Sequence, residues 1–160
     1  MANITKNLSK QQLHKLLLLL SVLLIMFFTF VVRETMELRH SGSRGLMLVP
    51  FRELAGMFRE PNHMFFFRQI TLNILLFIPF GFMTAVNLYL YRKNSTLPIW
   101  LTVLLLGFAF SLLIEVFQFI TGRGYTEVDD IINNTLGVMI GYWLYKVMLD
   151  CFKKRISDGK

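Results

Sequence analysis

The chain has 160 residues, of which 54% are hydrophobic, and its formal net charge is +7. A soluble domain of this length cannot bury so much apolar surface, because the fraction of surface removed on folding is limited by size, so lipid is the expected solvent. The single cysteine, Cys151, excludes a disulfide framework and the usual cysteine-based zinc sites.

Four apolar runs are long enough to cross a membrane as helices, which takes roughly 20 residues each. They predict an all-α membrane protein with four transmembrane helices, over about residues 14–32, 64–91, 96–121 and 130–150. No small-residue cleavage site follows the first run, which favours a retained anchor over a cleaved signal peptide.

Two short tails and one longer loop lie outside the apolar runs. Residues 1–12 form an N-terminal tail and residues 151–160 a basic C-terminal tail, on either side of a membrane domain over 13–150. In the first loop, 33–63, Pro50 precedes apolar residues at helical spacing (Phe51, Leu54, Ala55 and Phe58). This pattern predicts a short amphipathic helix, which lies on the outer leaflet or forms a lid over a site between the spanning helices.

The basic residues predict the orientation. With both termini in the cytoplasm, ten of the 17 basic residues lie inside, including every lysine, and the other seven, all arginine, lie outside. The chain is therefore expected to be a multi-pass protein of the plasma membrane. The inner basic excess faces anionic lipid, so nucleic acid is not an expected partner.

Polar side chains from three helices are expected at one depth, ~6–9 Å below the outer helix ends. We define the outer polar cluster as these residues and their polar neighbours, namely Asn73, Glu115, Asn134, Gln118, Arg123, Asp129 and Asp130. Its amides can serve simply to join helices by hydrogen bonds. An ionised Glu115 costs about 2.5 kcal/mol or more in a membrane unless it is paired, protonated or hydrated, which favours a functional role.

Two helices carry packing signals. In the fourth helix, Asp130, Asn134, Gly137 and Gly141 recur at i, i+4, i+7 and i+11 and so share one face. The two glycines match a close-packing motif that also permits a homo-oligomer. In the second helix, Pro79 and Gly81 predict a kink that could open a pocket toward one leaflet.

At these residues the chain resembles the VanZ-like family of membrane proteins. The matching segments are Arg68 with Asn73 to Gly81, Glu115-x-x-Gln118, Gly122-Arg123-Gly124, Asp129-Asp130, and Asn134-Thr135-x-Gly137-x-x-x-Gly141-Tyr142. The resemblance covers about residues 46–142. It implies a cell-envelope role in a mostly Gram-positive family, either glycopeptide resistance of the teicoplanin type or envelope homeostasis.

Two mechanisms fit. The outer polar cluster together with Arg68 could bind an anionic lipid or a lipid-linked wall polymer, since arginine suits phosphate and carboxylate groups. Alternatively, Glu115, Asp130 and Asn134 could serve a membrane enzyme that modifies a lipid or wall precursor, with Glu115 as the candidate catalytic residue. Neither a cofactor nor a metal is expected, although Glu115 and Asp130 offer the oxygen ligands that a hard cation takes.

Overall fold

The computed structural model describes residues 2–32, 45–92, 96–122 and 125–159. Its helices are α1 (Ala2–Phe27), continued by a π-helical turn (Phe28–Val32), α2 (Arg52–Arg59), α3 (His63–Tyr91), α4 (Ile99–Thr121) and α5 (Val128–Asp158). Two short strands, β1 (Gly45–Met47) and β2 (Tyr125–Glu127), pair in parallel, with Gly45 opposite Tyr125. The prediction of an all-α membrane protein is confirmed, with this strand pair as an addition that the sequence did not predict.

Helices extend into both predicted tails. The first helix begins at Ala2 rather than near residue 14, and α5 continues to Asp158. Lysine, which favours helix, is frequent in both tails, and the N-terminal tail adds two glutamines. Continuing an existing helix adds a hydrogen bond for each residue without a new nucleation cost, so the polar ends stay helical beyond the apolar runs.

Among the described residues, three helices are long and apolar enough to cross a membrane, over Gln11–Val31, His63–Tyr91 and Ile99–Thr121. The 31-residue α5 is long enough, but Asp129, Asp130 and two asparagines in its first turns lower its mean hydropathy. The number of spans and the side on which the termini lie therefore stay predictions.

Helix α3 is central and packs against α1, α2, α4 and α5. Its buried face includes Phe77, Phe80 and Gly81, and Val138 of α5 is fully buried beside it. Most other large apolar side chains of the spanning helices are exposed, as expected for surfaces that contact lipid.

Helices α3 and α5 approach until their backbones touch. A Cβ atom built on Gly81 would lie 2.1 Å from the Val138 carbonyl oxygen, and one on Gly141 would lie 2.2 Å from that of Ile78. The predicted close packing of the glycine stripe thus occurs within one chain, and an oligomer through Gly137 and Gly141 stays a prediction. Pro79 lies on an exposed face of α3, which is one uninterrupted helix.

Candidate functional site

The start of α5 brings two buried carboxylates into the bundle. Asp129 is 5% exposed and Asp130 is fully buried, and both lie in the first turn of the helix. Acidic groups are favoured there because the helix dipole places partial positive charge at the N-terminus. Asp130 Oδ1 accepts a hydrogen bond from Asn73 Nδ2 at 2.5 Å, which ties α5 to α3 within the outer polar cluster.

Asp129 caps a helix other than its own. Its Oδ1 accepts the backbone N–H of Phe51 at 2.5 Å, and its Oδ2 accepts that of Glu53 at 2.7 Å. These donors belong to the N-terminus of α2, where intrahelical partners are lacking. Phe51 has a φ of 61°, a left-handed conformation that costs a non-glycine residue about 1–2 kcal/mol. The capping bonds offset this cost and fix α2 over the start of α5.

The side chain of Glu53 adds a second connection between α2 and α5. It is 2% exposed, and its Oε2 accepts a hydrogen bond from Asn133 Nδ2 at 2.8 Å. Gly56, one turn further along α2, is also buried and lies against the ring of Phe66 in α3. The inward face of α2 is therefore its polar and small face.

Glu115 anchors the segment between α4 and α5. Its Oε2 accepts the backbone N–H of Glu127 at 3.1 Å, and its own carbonyl oxygen accepts the Thr126 hydroxyl at 3.2 Å. Glu115 as a whole is 1% exposed. Glu115 therefore holds β2, and through the strand pair it helps to hold β1 as well.

The lower part of the cluster joins α4 to α5. Asn134 Nδ2 donates to Ser111 Oγ at 2.9 Å, and both residues are buried. The amide oxygens of Asn134 and Gln118 are buried and accept no hydrogen bond from the part of the chain that the structure describes. An unsatisfied buried acceptor costs about 1–3 kcal/mol, so a hydroxyl or water donor at this level would be stabilising.

Three carboxylates from three different elements converge. Oxygens of Glu53, Glu127 and Asp130 lie within 4.8 Å of one another. Carboxylate oxygens at this spacing are the ligands that calcium and magnesium take. Asp130 thus belongs to the arrangement best suited to a cation, whereas Glu115, the other metal candidate from the sequence, acts on the Glu127 backbone.

Arg68 lies apart from the outer polar cluster. It is exposed near the N-terminus of α3, and none of the residues within the described ranges pairs with its guanidinium. It borders an open groove of about 600 Å³ that is otherwise lined by Asn62, Met64, Phe65, Phe67, Thr71 and Leu72. Arg123, the other predicted cation of the site, lies outside the described residues.

Comparison with known proteins identifies the family. The family model described as VanZ/LLP1 matches residues 15–149, which include every predicted site residue. The chain belongs to the VanZ/LLP1 family. Protein VanZ of Enterococcus faecium is 34% identical over 102 residues, which cover 64% of this chain and 53% of that protein. The chain thus spans about half the length of this relative. No solved structure matches the present chain.

Within this VanZ/LLP1 member, the site includes residues that the sequence analysis did not select. Ser111 is one helical turn before Glu115, and the polar series Ser111, Glu115 and Gln118 on one face of α4 could have identified it. Glu53 lies on the face of α2 opposite its apolar stripe, so the same periodicity contained that signal too. Asn133 carries no comparable signal, since its partner is 80 residues away.

Proposed function

We propose that this VanZ/LLP1 member is a multi-pass protein of the bacterial plasma membrane that binds an anionic lipid or a lipid-linked wall component at its outer face. Through this binding it contributes to glycopeptide resistance of the teicoplanin type or to envelope homeostasis. The observation that carries the proposal is Arg68, an exposed cation at the edge of an apolar groove.

The groove has the chemistry of a lipid site. Its apolar wall, which includes Phe67 and Leu72, suits a hydrocarbon chain, while Arg68 offers a planar set of donors that matches phosphate. A volume of about 600 Å³ falls within the range of ligand pockets. Because the guanidinium is unpaired among the described residues, it can bind an anion without first breaking an ion pair.

The proposal includes a fourth span by α5, with both termini inside. The polar residues in the first turns of α5 face the bundle, while Leu136, Trp143, Leu144 and Val147 are exposed along its length. Such a helix presents an apolar surface to lipid although its mean hydropathy is modest. The excess of basic residues in the tails and in the turn between α3 and α4 supports a cytoplasmic position for both ends.

Within this proposal the outer polar cluster positions the outer face rather than forming an open pocket. Its carboxylates hold α2 and β2 in place. The buried amide oxygens of Asn134 and Gln118 are the groups there that could still accept a ligand hydroxyl.

Lipid binding tests the proposal directly. The full chain, purified in nanodiscs that contain phosphatidylglycerol and phosphatidylcholine, is expected to enrich phosphatidylglycerol, as measured by mass spectrometry of retained lipid. A charged hydrogen bond contributes about 1.5–3 kcal/mol, so Arg68→Gln combined with Arg123→Gln is expected to weaken binding by about tenfold or more. Arg155→Gln, at the exposed end of α5, serves as a charge-matched control. Unchanged enrichment in the double variant would overturn the proposal.

The converging carboxylates favour one alternative, a membrane enzyme that modifies a lipid or wall precursor with a bound divalent cation. Glu53, Glu127 and Asp130 would supply ligands, and Glu115 would position Glu127. This alternative predicts saturable Mn²⁺ binding by electron paramagnetic resonance that is lost in Asp130→Asn. It also predicts that Glu115→Gln abolishes the resistance phenotype, whereas a fully resistant Glu115→Gln strain would exclude Glu115 as a catalytic base.

A further inference from the structure

The outward face of α2 is apolar. Phe51, Leu54 and Phe58 are 57%, 47% and 80% exposed, and they lie along one side of the helix, which we name the α2 stripe. Helices on the surface of a soluble protein direct such a side toward the core. Here the opposite side faces the core, so the α2 stripe requires a different apolar environment.

This orientation is fixed by specific contacts. Glu53 lies about 140° around the helix from Phe58, and its side chain is held by Asn133 of α5. Asp129 holds the N-terminus of α2 through two backbone N–H groups. Rotating α2 to bury its stripe would break these bonds and expose the buried carboxylate of Glu53. The contacts with α5 therefore hold the α2 stripe away from the bundle.

The position of α2 places the stripe at the boundary of the spanning helices. The helix ends at Arg59, and α3, a membrane span, begins at His63. The preceding strand β1 pairs with β2, which leads directly into α5. Met64 and Phe67, in the first turns of α3, are also apolar and exposed, so this end of the bundle presents further side chains suited to lipid.

Two cations flank the stripe. Arg52 and Arg59 are exposed and share one side of α2, because they are two helical turns apart. An apolar face with arginine along its edge is typical of helices that lie in a membrane interface. Arginine side chains there can extend to the headgroup phosphates while their stems contact acyl chains.

We propose that α2 inserts its stripe into the leaflet at this end of the bundle, with anionic phospholipid headgroups against Arg52 and Arg59. The occupant is the membrane surface rather than a protein partner or a second copy of the chain. The inference rests on the exposure and position of α2 and does not require the lipid site at Arg68. With the orientation proposed above, this leaflet is the outer one.

Single-tryptophan quenching tests the insertion in vesicles of phosphatidylglycerol and phosphatidylcholine. The chain has two tryptophans, Trp100 and Trp143, and both are replaced by phenylalanine before Phe58→Trp is introduced. Lipids brominated near the headgroup end of the acyl chain are expected to quench Phe58→Trp strongly, and aqueous acrylamide only weakly. Leu54→Trp provides an independent second probe if the first variant does not fold.

Two controls calibrate the result. A variant that keeps only Trp143, exposed midway along α5, reports the quenching of a lipid-facing site. Ser157→Trp, at the exposed far end of α5, reports a water-facing site. The proposal is overturned if the α2 probes match Ser157→Trp, which places the stripe in water, or if neither quencher reaches them, which places it under protein.

Discussion

The two halves of the contact between α3 and α5 are built differently. We name the half nearer the N-termini of both helices the outer half, after the proposed orientation, and the other the inner half. In the inner half, Gly81 and Gly141 let the two backbones touch, and a Cβ built on either would lie 2.1 to 2.2 Å from a carbonyl oxygen of the other helix. In the outer half, polar side chains join the helices, as where Asn73 donates to Asp130. The two halves share one stripe of α5, along which Asp130 and Asn134 are followed by Gly137 and Gly141.

The difference indicates a division of roles. A backbone contact has no spare volume, so any added atom must push the helices apart. A hydrogen-bonded layer can exchange partners at a smaller cost, because polar contacts between membrane helices average about 0.6 kcal/mol each. The inner half therefore sets the fold, and the outer half is where this VanZ/LLP1 member can vary its chemistry.

Adding a methyl group in the inner half is expected to have the largest effect. In Gly81→Ala the new Cβ would lie 2.1 Å from the Val138 carbonyl oxygen, so α3 and α5 must separate. Overpacking typically costs 1–3 kcal/mol with side chains as neighbours, and we expect about 3 kcal/mol or more against backbone. Unfolding in mixed micelles at increasing sodium dodecyl sulfate measures the loss.

The matched control for this substitution is Gly159→Ala. There the new Cβ would lie 3.3 Å from the Arg155 carbonyl oxygen, at an end of α5 where the chain can adjust. Its unfolding midpoint is expected to stay within error of the parent chain. Equal stability of the two alanine variants would show that the glycine contact does not set the fold.

Releasing α2 is expected to have an intermediate effect. Asp129→Ala removes the acceptor for the N–H groups of Phe51 and Glu53, and loss of a helix cap costs about 1–2 kcal/mol. Hydrogen exchange across Arg52–Arg59 is expected to accelerate, while the centre of α3 keeps its protection. Asp158→Ala, which removes an exposed carboxylate from the end of α5, is the control. Unchanged exchange in Asp129→Ala would mean that packing alone holds α2.

Periodicity predicted the α5 stripe correctly because helical spacing is a local property. The spacing of Asp130, Asn134, Gly137 and Gly141 places them on one side whatever the partner, and the structure buries all of them. Depth along a helix was predicted less exactly. Asn73 and Asn134 were expected at one level, whereas Asn73 bonds Asp130, one turn before Asn134, and Asn134 bonds Ser111, one turn before Glu115.

Features that depend on the partner were not predictable in the same way. The rise per residue predicts the depth of a side chain along a helix but not the side of the helix on which it lies. Arg68 is about 140° around α3 from Asn73, and it borders the groove rather than the outer polar cluster. Likewise, the two faces of α2 could be distinguished from sequence, but which one docks depends on the carboxylate cap that Asp129 supplies. The strand pair joins segments 80 residues apart, with only three residues in each strand.

Removing one polar contact between α4 and α5, at the level of Asn134, is expected to have the smallest effect. Ser111→Ala takes away the partner of Asn134 Nδ2 but leaves the helix contact unchanged in volume. We expect a loss of about 0.6 kcal/mol, measured by the same micelle unfolding, and a similar coupling energy in a double-mutant cycle with Asn134→Ala. The Asn134 amide oxygen accepts no hydrogen bond from any described residue, so Asn134→Ala breaks no described hydrogen bond of that oxygen beyond losing the bond to Ser111. If Ser111→Ala were as damaging as Gly81→Ala, polar contacts between these helices would be no more tolerant than backbone contacts, and substitutions at Asn134 would report on folding rather than on function.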